Sequence, residues 1–238
     1  MASAHLDVLI NQKGGVGKST LTVNIAAVVA ENLGAVPDGN SPVVAVGIDP
    51  QGSTEKWAER VEEDALPFDY MAASEDPGAV AELKQDPEVR RILADCPGFL
   101  DVNGNASTRD PLGAGPAADA LRAILDVADR AIVPMTTEFL SREPTEYTIE
   151  RVLKPRGIPF VVVVNLWDPR DGTDDRDETF RWIDRHGYPR APHAIRRYKI
   201  HTHAAESGTV VTRYKESGTA YRAREDFYRL ALHLNGAA

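Results

Sequence analysis

The sequence predicts an α/β protein in which one doubly wound, mostly parallel sheet is flanked by helices, with residues 1–238 forming a single domain. Three observations carry this expectation. Short apolar runs alternate with helical stretches from end to end. Two of the runs, R-A-I-V-P-M (130–135) and F-V-V-V-V-N (160–165), are apolar almost throughout, as a sheet covered on both faces requires. A chain of 238 residues, 42% hydrophobic and 26% charged, is long enough for one large core and short for two.

The elements follow in order. L-D-V-L-I (6–10) reads as a short buried strand. The stretch 19–34 has helical spacing and ends at Gly34, a natural helix stop. V-V-A-V-G-I (43–48) is the second strand and F-D-Y-M-A-A (68–73) a weaker one. P-G-A-V-A-E-L-K-Q (77–85) reads as helix, and R-R-I-L-A-D (90–95) as a strand ending in Asp95. H-A-I-R-R-Y (193–198) reads as a late strand, and 219–234 as an amphipathic C-terminal helix. Two long loops follow strand ends: 98–116, rich in Gly, Asn, Asp and Pro, and the acidic 167–178. Long loops at the carboxyl ends of parallel strands tend to be functional or disordered.

Composition removes several classes of function. No apolar run approaches the roughly 18 residues of a membrane span. The first residues lack the basic-then-apolar form of a signal peptide, so a cytoplasmic protein is expected. One cysteine, Cys96, excludes an intramolecular disulfide and a cysteine cluster within one chain; it reads as a small packed residue. The formal charge of −9 is uneven: from Arg190 onward nine basic residues face four acidic ones, which leaves about −14 on the first 189 residues. A basic end on an acidic body suits phosphate backbone on one face, although solvated helix faces give the same count.

The most informative stretch is N-Q-K-G-G-V-G-K-S-T (11–20), between a strand and a helix. Gly14, Gly15 and Gly17 let backbone N–H groups close around a phosphate, with Val16 between them, and the helix adds its positive end. Lys18 is placed for the β- and γ-phosphates, the Ser19 hydroxyl for Mg²⁺, and Thr20 for the α-phosphate. Gln12 stands where the common G-x-x-x-x-G-K-[ST] pattern has its first glycine, and a second lysine, Lys13, sits inside the loop.

K-G-G-V-G-K-S-T resembles the deviant Walker A motif of the ParA/MinD family of ATPases. That resemblance implies ATP and Mg²⁺ as ligands and a nucleotide-sandwich homodimer, in which Lys13 reaches the phosphates of the partner's ATP. A lysine supplied in trans couples positive charge on the developing oxyanions to dimerisation. V-G-I-D-P-Q-G-S-T (46–54) resembles switch I, so Asp49 matches the aspartate that places the attacking water near Mg²⁺. Many relatives carry another acid two positions earlier, where this chain has Gly47. I-L-A-D-C-P-G-F-L (92–100) resembles Walker B plus switch II, with Asp95 holding Mg²⁺ through water. Asn165 matches the residue that contacts adenine. The segment 193–214 matches moderately: Arg197 falls on the family arginine, while Arg196 and His203 replace its proline and glutamate.

Within that family the chain most resembles the small partition ATPases, which carry no helix-turn-helix. The implied activity is slow ATP hydrolysis that releases a DNA-bound dimer and is stimulated by a centromere-binding, ParB-like adaptor. Arg196, Arg197, Lys199, Arg222 and Arg224 are the expected contacts to non-specific DNA, giving a nucleoid-associated cytoplasmic protein. No membrane contact is expected, since the C-terminal helix is better suited to core packing. The alternative on the same engine is a MinD-like positioning switch acting on a protein cargo or membrane without DNA. A ligase or kinase of the related P-loop branch would have no use for Lys13.

Overall fold

The computed structural model describes residues 3–34, 40–49, 57–61, 66–99 and 110–236. Residues 50–54 of the V-G-I-D-P-Q-G-S-T segment and residues 100–109 of the first long loop lie outside the described residues.

Among the described residues, six strands form one all-parallel sheet: β1 (His5–Leu9), β2 (Val43–Gly47), β3 (Asp69–Ala72), β4 (Arg91–Asp95), β5 (Arg130–Met135) and β6 (Phe160–Val164). Their order is β3-β2-β4-β1-β5-β6. The chain leaves β1 towards β2 and β3, returns to β4, then crosses to β5 on the other side of β1. This reversal opens a crevice at the carboxyl ends beside β1, where ligands bind in such sheets.

The helices are α1 (Lys18–Leu33), α2 (Ala79–Leu83), α3 (Pro116–Val127), α4 (Arg142–Tyr147), α5 (Asp174–Arg185), α6 (Lys199–Glu206) and α7 (Gly218–Gly236). One face of the sheet is an apolar layer that takes in Leu121 of α3 and Trp182 and Ile183 of α5. The opposite layer joins α1, α6 and α7 through Ile25, Ile200 and Phe227. Most of α1 is buried because it lies between the sheet and α7.

Two expectations need correction. The acidic stretch 167–178 is only partly loop: a short 3₁₀ turn (Pro169–Asp171) leads into α5 from Asp174. Asp174, Asp175 and Asp177 fill the first turn of α5, where negative charge complements the helix dipole. H-A-I-R-R-Y is not a ladder strand. It carries one isolated bridge, Arg196 with Trp167, and a second, Arg190 with Val162 of β6, lies just before it. The Ala191 N–H bonds the Val162 carbonyl and the Ile195 N–H bonds the Val164 carbonyl, so four residues pass against two, and Pro192 within the bulge has no N–H to give.

At the amino end of the sheet, Asp7 is fully buried in β1. Arg130 Nε lies 2.7 Å and Arg91 Nη2 2.6 Å from its carboxylate. Arg130 Nη1 also donates to the Leu234 carbonyl at 2.6 Å, fastening the end of α7 to the sheet. Burial raises the Asp7 pKa, but hydrogen bonds from His5 and Arg130 and the charges of Arg91 and Arg130 outweigh it, so the carboxyl stays below its ordinary range. Asp7→Asn leaves two buried guanidinium groups without their anion. It is expected to lower the unfolding free energy by about 3–5 kcal/mol in urea titration, while nucleotide affinity at the other end of the sheet stays unchanged.

Candidate functional site: a phosphate loop at the carboxyl edge of the sheet

Residues 11–17 leave β1 and wrap around the N-terminus of α1. Gly15 (φ 73°) and Gly17 (φ 86°) adopt left-handed backbone. A Cβ at Gly17 would also collide with the Asn165 amide nitrogen. Asn11 is fully buried and anchors the loop. Its Nδ2 donates to the Pro134 carbonyl at 2.8 Å and to Thr145 Oγ1 at 2.9 Å, and its Oδ1 accepts the Lys13 N–H at 2.9 Å. The Gln12 N–H adds a bond to Thr148 Oγ1 at 3.0 Å.

The two lysines point to different places. Lys18 is buried, with Nζ 3.4 Å from the Asn11 carbonyl and 3.3 Å from that of Lys13. Burial lowers its pKa, and the nearby charges of Asp95 and Asp49 oppose that. Lys13 turns to the rim, where its Nζ lies 2.9 Å from Glu138 Oε2. Its ammonium holds the Glu138 carboxyl below the usual range, with a smaller contribution from Arg197.

Asp95 ends β4, 1% exposed, and pairs in register with Leu9 of β1 and Gly47 of β2. Asp49 follows β2 and is half-buried; with Lys18, Ser19 and Thr20 it lines one cavity of about 910 Å³. Among the described residues no group of three or more His, Cys, Asp or Glu could hold a metal by protein ligands alone. A hydroxyl at Ser19 and carboxylates at Asp49 and Asp95 are hard oxygen donors of the kind that suit Mg²⁺, which keeps several waters and shares its shell with phosphate. Ser19, Asp49 and Asp95 are the residues that would hold it. Gly47 leaves a space that the Tyr70 hydroxyl fills, since a Cβ there would collide with it. Cys96, fully buried behind Asp95, has its thiol pKa pushed far up by burial, which keeps it inert.

Asn165 sits under the phosphate loop. It is 1% exposed and its Nδ2 donates to the Val16 carbonyl at 2.8 Å, so this amide braces the loop. Leu166 follows with φ 59°, a conformation unusual for leucine, and lines the cavity.

The expected DNA residues divide. Arg196 is bound to Asp226 through Nε at 2.9 Å and Nη2 at 2.7 Å, so its charge is matched inside the fold. Arg224 donates to the Val211 and Tyr214 carbonyls. Arg197, Lys199 and Arg222 are exposed. Arg197 also adds to the field that holds Glu138 and Asp168 low, which places it near the rim of the nucleotide cavity.

Sequence reading missed Asn11, Glu138, Trp57 and His201. Asn11 carried a signal, a polar residue directly after an apolar strand; the others come from distant segments. His201 of α6 is 8% exposed in the cavity wall, and burial pushes its imidazole down to about 4 against the pull of Asp226.

Two outcomes are expected. Gly17→Ala imposes about 1–3 kcal/mol of backbone strain and displaces Asn165, so calorimetry should show nucleotide binding lost from a folded protein. The second concerns pH. A native imidazole titrating near 4 and an ordinary one near 6.5 mean that the unfolded chain binds the extra proton between those values. This contribution to stability is therefore full above pH 6.5 and is lost as the pH falls towards 4. Urea titrations at pH 7 and pH 4 should show His201→Gln losing roughly 3 kcal/mol less than the wild type over that interval.

Comparison with known proteins agrees with this geometry. The chain is 30% identical over 227 residues to "Maintenance of carboxysome distribution protein A" of Gloeobacter kilaueensis, covering 95% of this chain and 92% of that one. In structure it is similar to the Cyanothece McdA(D38A)–ATP complex, with a TM-score of 0.65, 13% identity and 98% of each chain covered. It is also similar to the septum site-determining protein MinD of Pyrococcus horikoshii complexed with Mg-ADP, with a TM-score of 0.64, 20% identity and coverage of 97% and 96%. At these identities the two structures show the shared fold. Residues 7–231 match the profile of the CobQ/CobB/MinD/ParA nucleotide binding domain (CbiA), and the chain belongs to that family of P-loop ATPases.

Proposed function

We propose that this chain is an ATP- and Mg²⁺-dependent positioning ATPase that closes into a dimer on ATP and holds a cargo on a matrix until hydrolysis releases it. The observation that carries the reading is the division between the lysines. The Lys18 side chain faces its own loop, whereas the Lys13 ammonium stands at the rim, 2.9 Å from Glu138. A rim lysine suits contact with a second molecule's phosphates. Asp49 would orient the attacking water, and an adaptor protein would accelerate a slow hydrolysis step.

The matrix proposed is DNA, bound without sequence preference through the exposed Arg197, Lys199, Lys215 and Arg222. The cargo is a large body attached through an adaptor. The carboxysome-distribution relative supports a protein body as readily as a plasmid or chromosome segment. A membrane matrix is the second reading. It is favoured by the exposed Tyr221, Tyr228 and Leu232 of α7, although no helix among the described residues is long and apolar enough to cross a bilayer.

Light scattering with ATP–Mg²⁺, with ADP and without nucleotide is expected to show a dimer with ATP alone, and Lys13→Ala is expected to remain monomeric while still binding ATP. Binding to a random-sequence duplex is expected only in the dimeric state. It should weaken with salt at about −0.9 in the log–log slope per phosphate contact, and weaken again with Arg222→Glu. A dimer that ignores DNA but binds anionic vesicles would move the matrix to a membrane. ATP binding without dimer formation would overturn the switch.

A further inference from the structure

Phe139 and Leu140 follow Glu138 in a 3₁₀ turn (Phe139–Ser141) beyond the carboxyl end of β5. They are 75% and 74% exposed, and among the described residues no other two exposed large apolar side chains are neighbours in sequence. The turn itself is held firmly. Ser141 is fully buried; its Oγ accepts the Thr136 N–H at 3.1 Å and its carbonyl accepts the Thr145 hydroxyl at 2.7 Å. The Ser141 N–H closes the turn on the Glu138 carbonyl at 2.9 Å. With Ser141 turned in, the two side chains before it are turned out. The Arg142 guanidinium lies 5.6 Å from the centroid of the Phe139 ring and steadies it. Thr145 also receives the Asn11 amide, so the turn is tied to the glycine loop. An apolar pair held in water on a fixed turn is the form of an interface anchor.

We infer that Phe139 and Leu140 form the apolar centre of a twofold contact between two copies of this chain. The inference rests on the ATP-driven dimer proposed above and names the surface that closes it. The charges around the turn select the occupant. Glu138, Glu143 and Glu146 are exposed beside it and repel phosphate, whether of a bilayer surface or of nucleic acid. Lys13 and Arg142 supply the opposite sign in the same patch, with Lys13 Nζ 2.9 Å from Glu138 and Arg142 Nη2 4.0 Å from Glu178. A patch with both signs around an apolar pair can complement its own copy, because a twofold axis sets acids of one molecule against bases of the other. The same axis carries the rim that bears Lys13 towards the second molecule.

The test uses the full chain with Mg²⁺ and a non-hydrolysable ATP analogue. Sedimentation across a concentration series gives the dimer dissociation constant of the wild type and of the double variant Phe139→Ser, Leu140→Ser. The expected result is a dimer weakened roughly 100-fold, from the apolar surface no longer covered, with analogue affinity held within about twofold at protein concentrations below the dimer constant. A second readout is the rate at which a maleimide labels Leu140→Cys. Cys96 is fully buried, so the introduced thiol is the one that reacts. Labelling is expected to slow with the analogue, more so as protein concentration rises, and not to slow when Lys13→Ala is added. If the double variant does not fold by circular dichroism, the labelling decides alone. A folded double variant that dimerises as the wild type does overturns the inference and spares the dimer; if that variant also loses binding to phosphatidylglycerol vesicles, the surface belongs to a membrane. Labelling that ignores protein concentration overturns it too. So does loss of analogue affinity in the folded double variant below the dimer constant, since the surface then serves the nucleotide site. Wild-type protein that binds the analogue and stays monomeric overturns the dimer reading and this inference together.

Discussion

The site depends on one buried amide. Asn11 stands where β1 ends, and its side chain bonds the Pro134 carbonyl, Thr145 Oγ1 and the Lys13 N–H at once. An amide in that position satisfies donors and acceptors that would otherwise be buried without partners. It also fixes the direction in which the chain leaves the sheet. With the Lys13 backbone held to Asn11, the Lys13 side chain goes to the rim, and Lys18, five residues later, lies back over the loop carbonyls. Asn165 then supports the loop from the β6 side through Val16. The loop is thus suspended between β5, α4 and β6, elements that lie more than a hundred residues further along the chain.

The two ends of the sheet do different work. The amino ends of β1, β4 and β5 converge on Asp7, Arg91 and Arg130, a charge cluster closed to water whose Arg130 also ties down α7. Such a cluster is costly to break and holds the strands in register. The carboxyl ends carry Asp95, Asp49 and the glycine loop, where backbone groups are left for a ligand. Stability and chemistry are separated along the strand axis, because parallel strands turn all their carboxyl ends to one side.

Much of this was legible in the sequence, for identifiable reasons. Strands β5 and β6 declare themselves because a strand covered on both faces must be apolar at every position, and the loop 11–17 because only glycine tolerates its backbone near Gly15 and Gly17. The segment 193–198 misled because its composition suits a strand, while Pro192 and the register of β6 break the ladder. The acidic stretch 167–178 misled because acidic residues mark helix starts as well as loops, and only the packing of Trp182 and Ile183 on the sheet decides between them. Arg196 looked like a surface cation; its partner Asp226 is thirty residues away, on the helix that packs beside it.

The sequence by itself determined the family, the parallel sheet and the glycine loop at the end of its first strand, since these follow from local spacing, periodicity and the backbone limits of glycine. The tertiary structure decided which charges are matched inside the fold, that Lys13 faces outward, that Asn165 braces the loop, that Tyr70 fills the space beside Gly47, and that His201 lines the cavity. Those are contacts between segments distant along the chain, and no local pattern of residues encodes which of them will meet.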